Sequence, residues 1–117
     1  MPESYKVIIQ LSDDSVDVQH SVISQVNNLI RALPSIHIEL VIHSRGINFI
    51  YKSCQWENQL NQLIKQYNVK IYACNNTLEA MQLSKEDLLP IVEIVPSAVA
   101  HIVMKQHEGW SYLKAGF

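Results

Sequence analysis

Residues His37-Ile38-Glu39-Leu40-Val41-Ile42-His43 read HIELVIH, a β-branched run with no turn residue inside it. Its centre, Leu40-Val41-Ile42, is apolar at consecutive positions. A strand with one wet face alternates apolar and polar residues. A continuous apolar run marks a strand covered on both faces, as in parallel sheets. Ser44-Arg45-Gly46 supplies the turn leaving this strand, and Pro34 stands ahead of it, where it stops a preceding helix.

Strand and helix patterns alternate on either side of this run. Tyr5 to Leu11 (YKVIIQL) is a first strand. Ser12 to Ser15 supplies turn and N-cap residues. Val18, Val22, Ile23, Val26, Leu29, Ile30 and Leu33 follow at helical spacing, which predicts a helix over Val16 to Leu33. Beyond Gly46, a short irregular or helical piece (Ile47 to Lys52) precedes a helix carrying Leu60, Leu63, Ile64 and Tyr67. Val69 to Ala73 is a third strand, Cys74-Asn75-Asn76 opens a helical turn, and Ser84 with Asp87 has capping-box spacing. Ile91 to Val95 is a fourth strand. Pro96 and Ser97 open a last helix, whose Val99, Ile102 and Val103 are expected in the core. Gly109 ends that helix, and Trp110 to Lys114 is a fifth strand. This alternation implies right-handed crossovers. The expected fold is α/β: one domain over residues 1–117, a three-layer α/β/α sandwich on a mainly parallel sheet of about five strands.

Composition narrows the function. The 117 residues are 48% hydrophobic and 17% charged, with a net charge of −2. Such a chain builds a core and is not disordered. Its charge lies below the ~25% usual for soluble domains, which fits a protomer that hides surface in an oligomer. There is no basic footprint for nucleic acid and no polybasic segment for acidic lipid. The three glycines, Gly46, Gly109 and Gly116, form neither a dinucleotide loop nor a Walker A loop, so no cofactor is expected. The two cysteines, Cys54 and Cys74, are too few for a disulfide scaffold or a four-cysteine zinc site. Pro2, Glu3, Ser4 and Lys6 break any apolar start to a signal peptide. The Ile91–Met104 stretch is too interrupted to span a bilayer. The expectation is a cytoplasmic protein with reduced thiols.

In open α/β sheets the functional crevice lies beyond the carboxyl ends of the strands. Here those ends carry Asp13 and Asp14; His43, Ser44, Arg45 and Gly46; Cys74, Asn75 and Asn76; and Ser97. Cys74 is the sharpest candidate, because it precedes a helix start. An N-terminus favours an anion by ~0.3–1 kcal/mol, against ~1.36 kcal/mol per pKa unit. The helix end alone therefore leaves a thiol mostly protonated at neutral pH, and His43 and Arg45 are the candidate cations. The plainer reading of Cys74 is a small buried residue at a strand end. His43 is equally a core-edge histidine, and Asp13 and Asp14 are more simply helix caps. Cys54 reads as a packing residue. His20, His37, His101 and His107 lack metal-ligand spacing; no motif supports a mixed His43–Cys74–Asp13 site, and no metal is expected. Trp110, Tyr112 and Phe117 read either as a strand packed on the sheet edge or as an oligomer contact.

Four segments carry a family likeness. Val69–Leu78 (VKIYACNNTL) resembles the strand–cysteine–helix signature of the DsrE/DsrF-like family. Leu88-Leu89-Pro90-Ile91 is similar to that family's approach to its fourth strand. Val95-Pro96-Ser97-Ala98-Val99 resembles its V-P-S-G-V turn, and Gln106 to Tyr112 its Q-x-E-G-W-x-Y ending. The likeness runs from about Tyr5 onward. It departs at Ser44 and Arg45, which intervene before Gly46, and at Ala98, which replaces a common glycine.

The resemblance implies a homotrimer or homohexamer. It also implies that Cys74 is the acceptor in a sulfur relay, carrying persulfide between donor and acceptor proteins by thiolate exchange. On this expectation Cys74 is the reacting residue, His43 and Arg45 support it electrostatically, Asn75 and Asn76 shape its loop, and Cys74 outreacts Cys54. The alternative is a non-catalytic oligomeric module that holds a small anionic or nucleotide-like ligand at the same sheet edge, through Arg45 and helix N-termini.

Overall fold

The computed structural model describes residues 4–116. Five strands, β1 (Lys6–Leu11), β2 (His37–Ile42), β3 (Val69–Cys74), β4 (Glu93–Val95) and β5 (Ser111–Lys114), form one sheet in the order β4-β3-β2-β1-β5. Every pairing is parallel. The helices are α1 (Val16–Ala32), α2 (Glu57–Gln66), α3 (Asn75–Ala80) and α4 (Ala98–His107), with 3-10 turns at Ser44–Ile50 and Lys85–Asp87. The fold class is therefore the expected α/β arrangement of a parallel sheet between helices.

The strand order fixes which face each helix covers. From β1 to β4 the chain steps one strand at a time in the same direction, so right-handed crossovers put α1, α2 and α3 on one face. The β4-to-β5 connection runs back across the sheet to the far side of β1, which puts α4 on the other. Alternation along the strands separates the two faces. Val7, Ile9, Leu11, Ile38, Leu40, Ile42, Val69, Ile71 and Ala73 join the main core with Val18, Val22 and Val26 of α1 and Leu60 and Leu63 of α2. Each of these valine, leucine and isoleucine side chains, fully buried, stabilises the fold by ~1.5–3 kcal/mol.

The α4 face is different. Its apolar contacts reduce to Ile8, Val41, Cys74, Ala98 and Ile102. The other strand positions on this face include Lys6, Gln10, Glu39, Lys70, Tyr72 and Glu93. Glu39 is buried, and its carboxylate accepts from His101 Nε2 at 2.7 Å and Lys105 Nζ at 3.3 Å. A carboxylate only accepts, so Nε2 carries the His101 hydrogen. Tyr72 packs on the His101 ring at 4.9 Å. Burial first, then Glu39 and Glu93, push its phenol up to about 12. Lys105 also lies over Trp110, 4.7 Å from the ring centroid.

This seam corrects the expectation for α4. Ala98, His101, Ile102 and Lys105 face the sheet, while Val99, Val103 and Met104 are 59%, 66% and 54% exposed. Val99 and Val103 are thus not core. Hydropathy misplaces the face because two inward positions are polar and are satisfied by Glu39, which a hydrophobic count cannot register.

Other boundaries moved little. Strand four begins at Glu93, and Trp110 lies just outside β5. Ser44-Arg45-Gly46 is the first part of the 3-10 turn rather than a separate loop. The Ser84–Asp87 capping box forms, on that short 3-10 turn. Phe117 lies outside the described residues. Among the described residues, no helix is long and apolar enough to cross a membrane.

Candidate functional site

Cys74 ends β3 and is the N-cap of α3. It points to the α4 face, 5% exposed, against Ala98 and Ile102. The Ala98 N–H donates to its sulfur at 3.3 Å. Ala98 is the first residue of α4, whose N-cap Ser97 accepts from Ala100 N–H. The sulfur thus lies between the starts of α3 and α4. Burial pushes the thiol up. The N–H of Ala98, the N–H and hydroxyl of Thr77 and the N–H of Asn76 outweigh it, and the net effect holds Cys74 below the ordinary thiol value. Of these, only the Ala98 bond is a fully formed hydrogen bond; the α3 amides approach without closing a cap.

The expected cations play another part. His43 follows β2 and is half-buried. Burial, then the Lys114 charge, lower its pKa, so it is neutral at neutral pH. Its ring is held at both nitrogens: Nε2 lies 2.8 Å from Gln10 Nε2, and Nδ1 lies 3.0 Å from Ser44 Oγ. The Tyr112 hydroxyl donates to Gln10 Oε1, which turns the Gln10 amide nitrogen towards His43. Arg45 is exposed in the 3-10 turn. What surrounds the sulfur is a set of dipoles: amides and one hydroxyl.

Ser44 has φ 54, in the left-handed region. A non-glycine residue there costs ~1–2 kcal/mol. Its N–H donates to Thr77 Oγ1 at 3.0 Å, which holds the turn against α3. Gly46 is needed for packing: a Cβ there would lie 2.5 Å from the Leu11 carbonyl oxygen. Asn75 donates to Glu79 within α3. Asp13 accepts from the Ser15 N–H, and Ser15 caps α1; Asp14 accepts from Asn48 at 2.9 Å. Both acidic residues therefore hold the entry to α1.

His43, Ser44, Asn75, Asn76 and Ser97 are thereby brought to the Cys74 end of the sheet, while Asp13 belongs to a second place on the same edge. There the carboxyl ends of β1 and β5 and the start of α1 border a crevice of about 440 Å³ that includes Asp13, Asp17 and Lys114. A larger groove, about 860 Å³, lies at the opposite, amino edge and includes Glu39, Lys70, Lys105 and Trp110. Among the described residues, no three His, Cys, Asp or Glu side chains gather as metal ligands.

Cys54 contrasts with Cys74. It is half-buried in the loop before α2, and both thiols are free. Burial pushes the Cys54 thiol up, Trp56 N–H opposes this, and Glu57 adds to it; the net shift is upward.

Sequence reasoning missed Thr77, Gln10 and the donor role of Ala98. One signal was present: Cys74-x-x-Thr77 has the N-cap-to-N3 spacing at which a side chain meets the other residue's backbone N–H at a helix start.

The topology, the cysteine between two helix starts and the order of motifs define a small parallel α/β protein with a poised thiol. The chain belongs to the DsrE/DsrF-like family, which matches it over residues 6–115. A protein of unknown function from Methanobacterium thermoautotrophicum is 36% identical and has a TM-score of 0.91, with 95% of this chain and 99% of that one covered. The ychN protein of E. coli shares the fold at a TM-score of 0.77 and 14% identity, over 96% and 99% of the two chains. A conserved protein of unknown function from Bacteroides thetaiotaomicron does so at 0.75 and 14%, over 93% of each. No curated protein matches the chain.

Proposed function

We propose that this protein carries sulfane sulfur as a persulfide on Cys74, within a sulfur relay. The observation that supports this most directly is the environment of the sulfur: the Ala98 amide at 3.3 Å, with Thr77 and Asn76 beside it, favours thiolate without any charged partner. The family's relation to sulfur relay supports the same reading.

The chemistry is thiolate exchange. The Cys74 thiolate attacks the outer sulfur of a donor persulfide, R–S–SH. A new S–S bond forms at Cys74, the donor's S–S bond breaks, and R–S⁻ leaves. No net oxidation occurs, and no cofactor takes part. Delivery is the reverse reaction with an acceptor thiolate. Amides at the starts of α3 and α4 stabilise whichever anion occupies the position, Cys–S⁻ before transfer and Cys–S–S⁻ after it.

The working form is a cytoplasmic homotrimer or homohexamer. The thin, half-polar α4 face, with Val99, Val103 and Met104 exposed, offers a surface for such assembly. Donor and acceptor proteins approach the carboxyl edge of the sheet.

Native protein is alkylated across a pH series, with and without polysulfide pretreatment, and each cysteine is mapped by mass. The expected result is Cys74 labelling at lower pH than Cys54, and a gain of sulfur mass on Cys74 alone. A Cys74 that stays unlabelled until unfolding would sink the carrier reading.

A further inference from the structure

We propose that Thr77 aims a hydroxyl hydrogen at the Cys74 sulfur, and that a chain of side chains running from Tyr112 through Gln10, His43 and Ser44 holds it in that aim. The inference rests on Cys74 being the reacting thiol and assigns roles to residues around it.

Each link of the chain constrains the next. The Tyr112 hydroxyl donates to Gln10 Oε1, so the amide nitrogen of Gln10 is the end that meets His43. That nitrogen lies 2.8 Å from His43 Nε2. An amide NH₂ only donates, so Nε2 must accept and carries no hydrogen. The one hydrogen of the neutral ring is then on Nδ1, which lies 3.0 Å from Ser44 Oγ and donates to it. Burial and Lys114, which keep His43 neutral, agree with this tautomer.

Ser44 turns the constraint towards the sulfur. Its backbone is left-handed, φ 54, and side-chain and backbone bonds hold it there: its hydroxyl meets His43, and its N–H donates to Thr77 Oγ1 at 3.0 Å. With that lone pair occupied, Thr77 has a hydroxyl hydrogen to give. Thr77 is N3 of α3, and Cys74 is the N-cap. Both side chains therefore stand at the start of the same helix, three residues apart. In this proposal the hydroxyl hydrogen of Thr77, left free by the Ser44 bond, serves the reacting sulfur, and Ser44, His43, Gln10 and Tyr112 are positioning residues. Strained backbone held in place by surrounding bonds is a recurrent feature of functional edges.

The test compares Thr77→Val, which keeps the shape and deletes the hydroxyl, with Thr77→Ser, which keeps the hydroxyl. The readout is the pH profile of Cys74 alkylation, with Cys54 as internal control. Losing one donor lowers the thiolate fraction at pH 7 by about tenfold. The more basic thiolate is about threefold more nucleophilic. Thr77→Val should therefore label Cys74 about threefold more slowly at pH 7, with its profile displaced to higher pH; Thr77→Ser should follow the parent, and Cys54 should not change. Coincident profiles for Thr77→Val and the parent would overturn the inference, as would equal slowing in both variants. Should Thr77→Val fail to fold, Tyr112→Phe takes its place, read by ¹⁵N NMR of His43. The parent should show a single Nδ1–H tautomer, and Tyr112→Phe a mixture together with slower Cys74 labelling; an unchanged tautomer and labelling rate would also overturn it. Parent Cys74 that alkylates readily but gains no sulfur from polysulfide counts against the carrier reading, not against Thr77.

Discussion

The N–H of Ala98 lies 3.3 Å from the sulfur of Cys74 and donates to it. This bond ties the end of β3 to the first residue of α4, two elements 24 residues apart in sequence. It makes the reactivity of the thiol depend on where α4 sits.

The two thiols should separate by pH. Cys74 is held below and Cys54 above the ordinary thiol value. For Cys74 the folded state favours the thiolate. Its contribution to stability is present above the unfolded thiol pKa and is lost as pH falls through the folded value. For Cys54 the sign reverses: its contribution is present below the unfolded pKa and is lost as pH rises. Urea midpoints of Cys74→Ala and Cys54→Ala, measured from pH 7 to 10, should show the parent's advantage over Cys74→Ala growing with pH and that over Cys54→Ala shrinking.

Glu39 anchors α4. Glu39→Ala leaves His101 and Lys105 without their shared acceptor at a buried position. The expected loss is ~2–4 kcal/mol, because removing one partner strands the others, and the melting temperature should fall by about 10 °C. Glu39→Gln keeps the shape and one acceptor and should fall between. A melting temperature unchanged in Glu39→Ala would refute the anchoring role.

Gln82 should be improvable. It has φ 56, and around it Leu83 N–H bonds Leu78 O at 2.8 Å and Gln82 N–H bonds Glu79 O at 3.1 Å. This is a Schellman close to α3 with glutamine where glycine usually stands. Gln82→Gly relieves ~1–2 kcal/mol of left-handed strain and loses part of that to unfolded-chain entropy. Thermal unfolding should report a gain of ~0.5–1 kcal/mol.

Self-association should depend on α4. Val103→Lys places a charge on an outward position that is 66% exposed, so it spares the fold. Light scattering at micromolar concentration should show the parent as trimer or hexamer and the variant shifted towards the 13.4 kDa chain. A parent that runs as a monomer would reject the assembly.

Much of this architecture was legible in the sequence because local patterns set it. The apolar run Leu40-Val41-Ile42 marked a doubly covered strand, Ser15 and Ser97 marked helix starts, and Cys74-Asn75-Asn76 marked a strand running into a helix. Each of these depends on residues a few positions apart. The carboxyl-edge rule then brought Cys74, His43, Ser44 and Ser97 to one end of the sheet.

Tertiary structure decided what long-range polar contacts control. Which stripe of α4 faces inward was set by Glu39, 62 residues from His101. The state of His43 was set by burial and then by the Lys114 charge, and Gln10 holds its ring, so a residue expected to be a cation is a neutral link. The groups around the Cys74 sulfur came from Ala98 and Thr77 rather than from Arg45. The physical reason is the same each time. Periodicity records where apolar surface is buried, whereas a hydrogen bond between distant residues leaves no period in the chain and exists only once the strands have set its partners side by side.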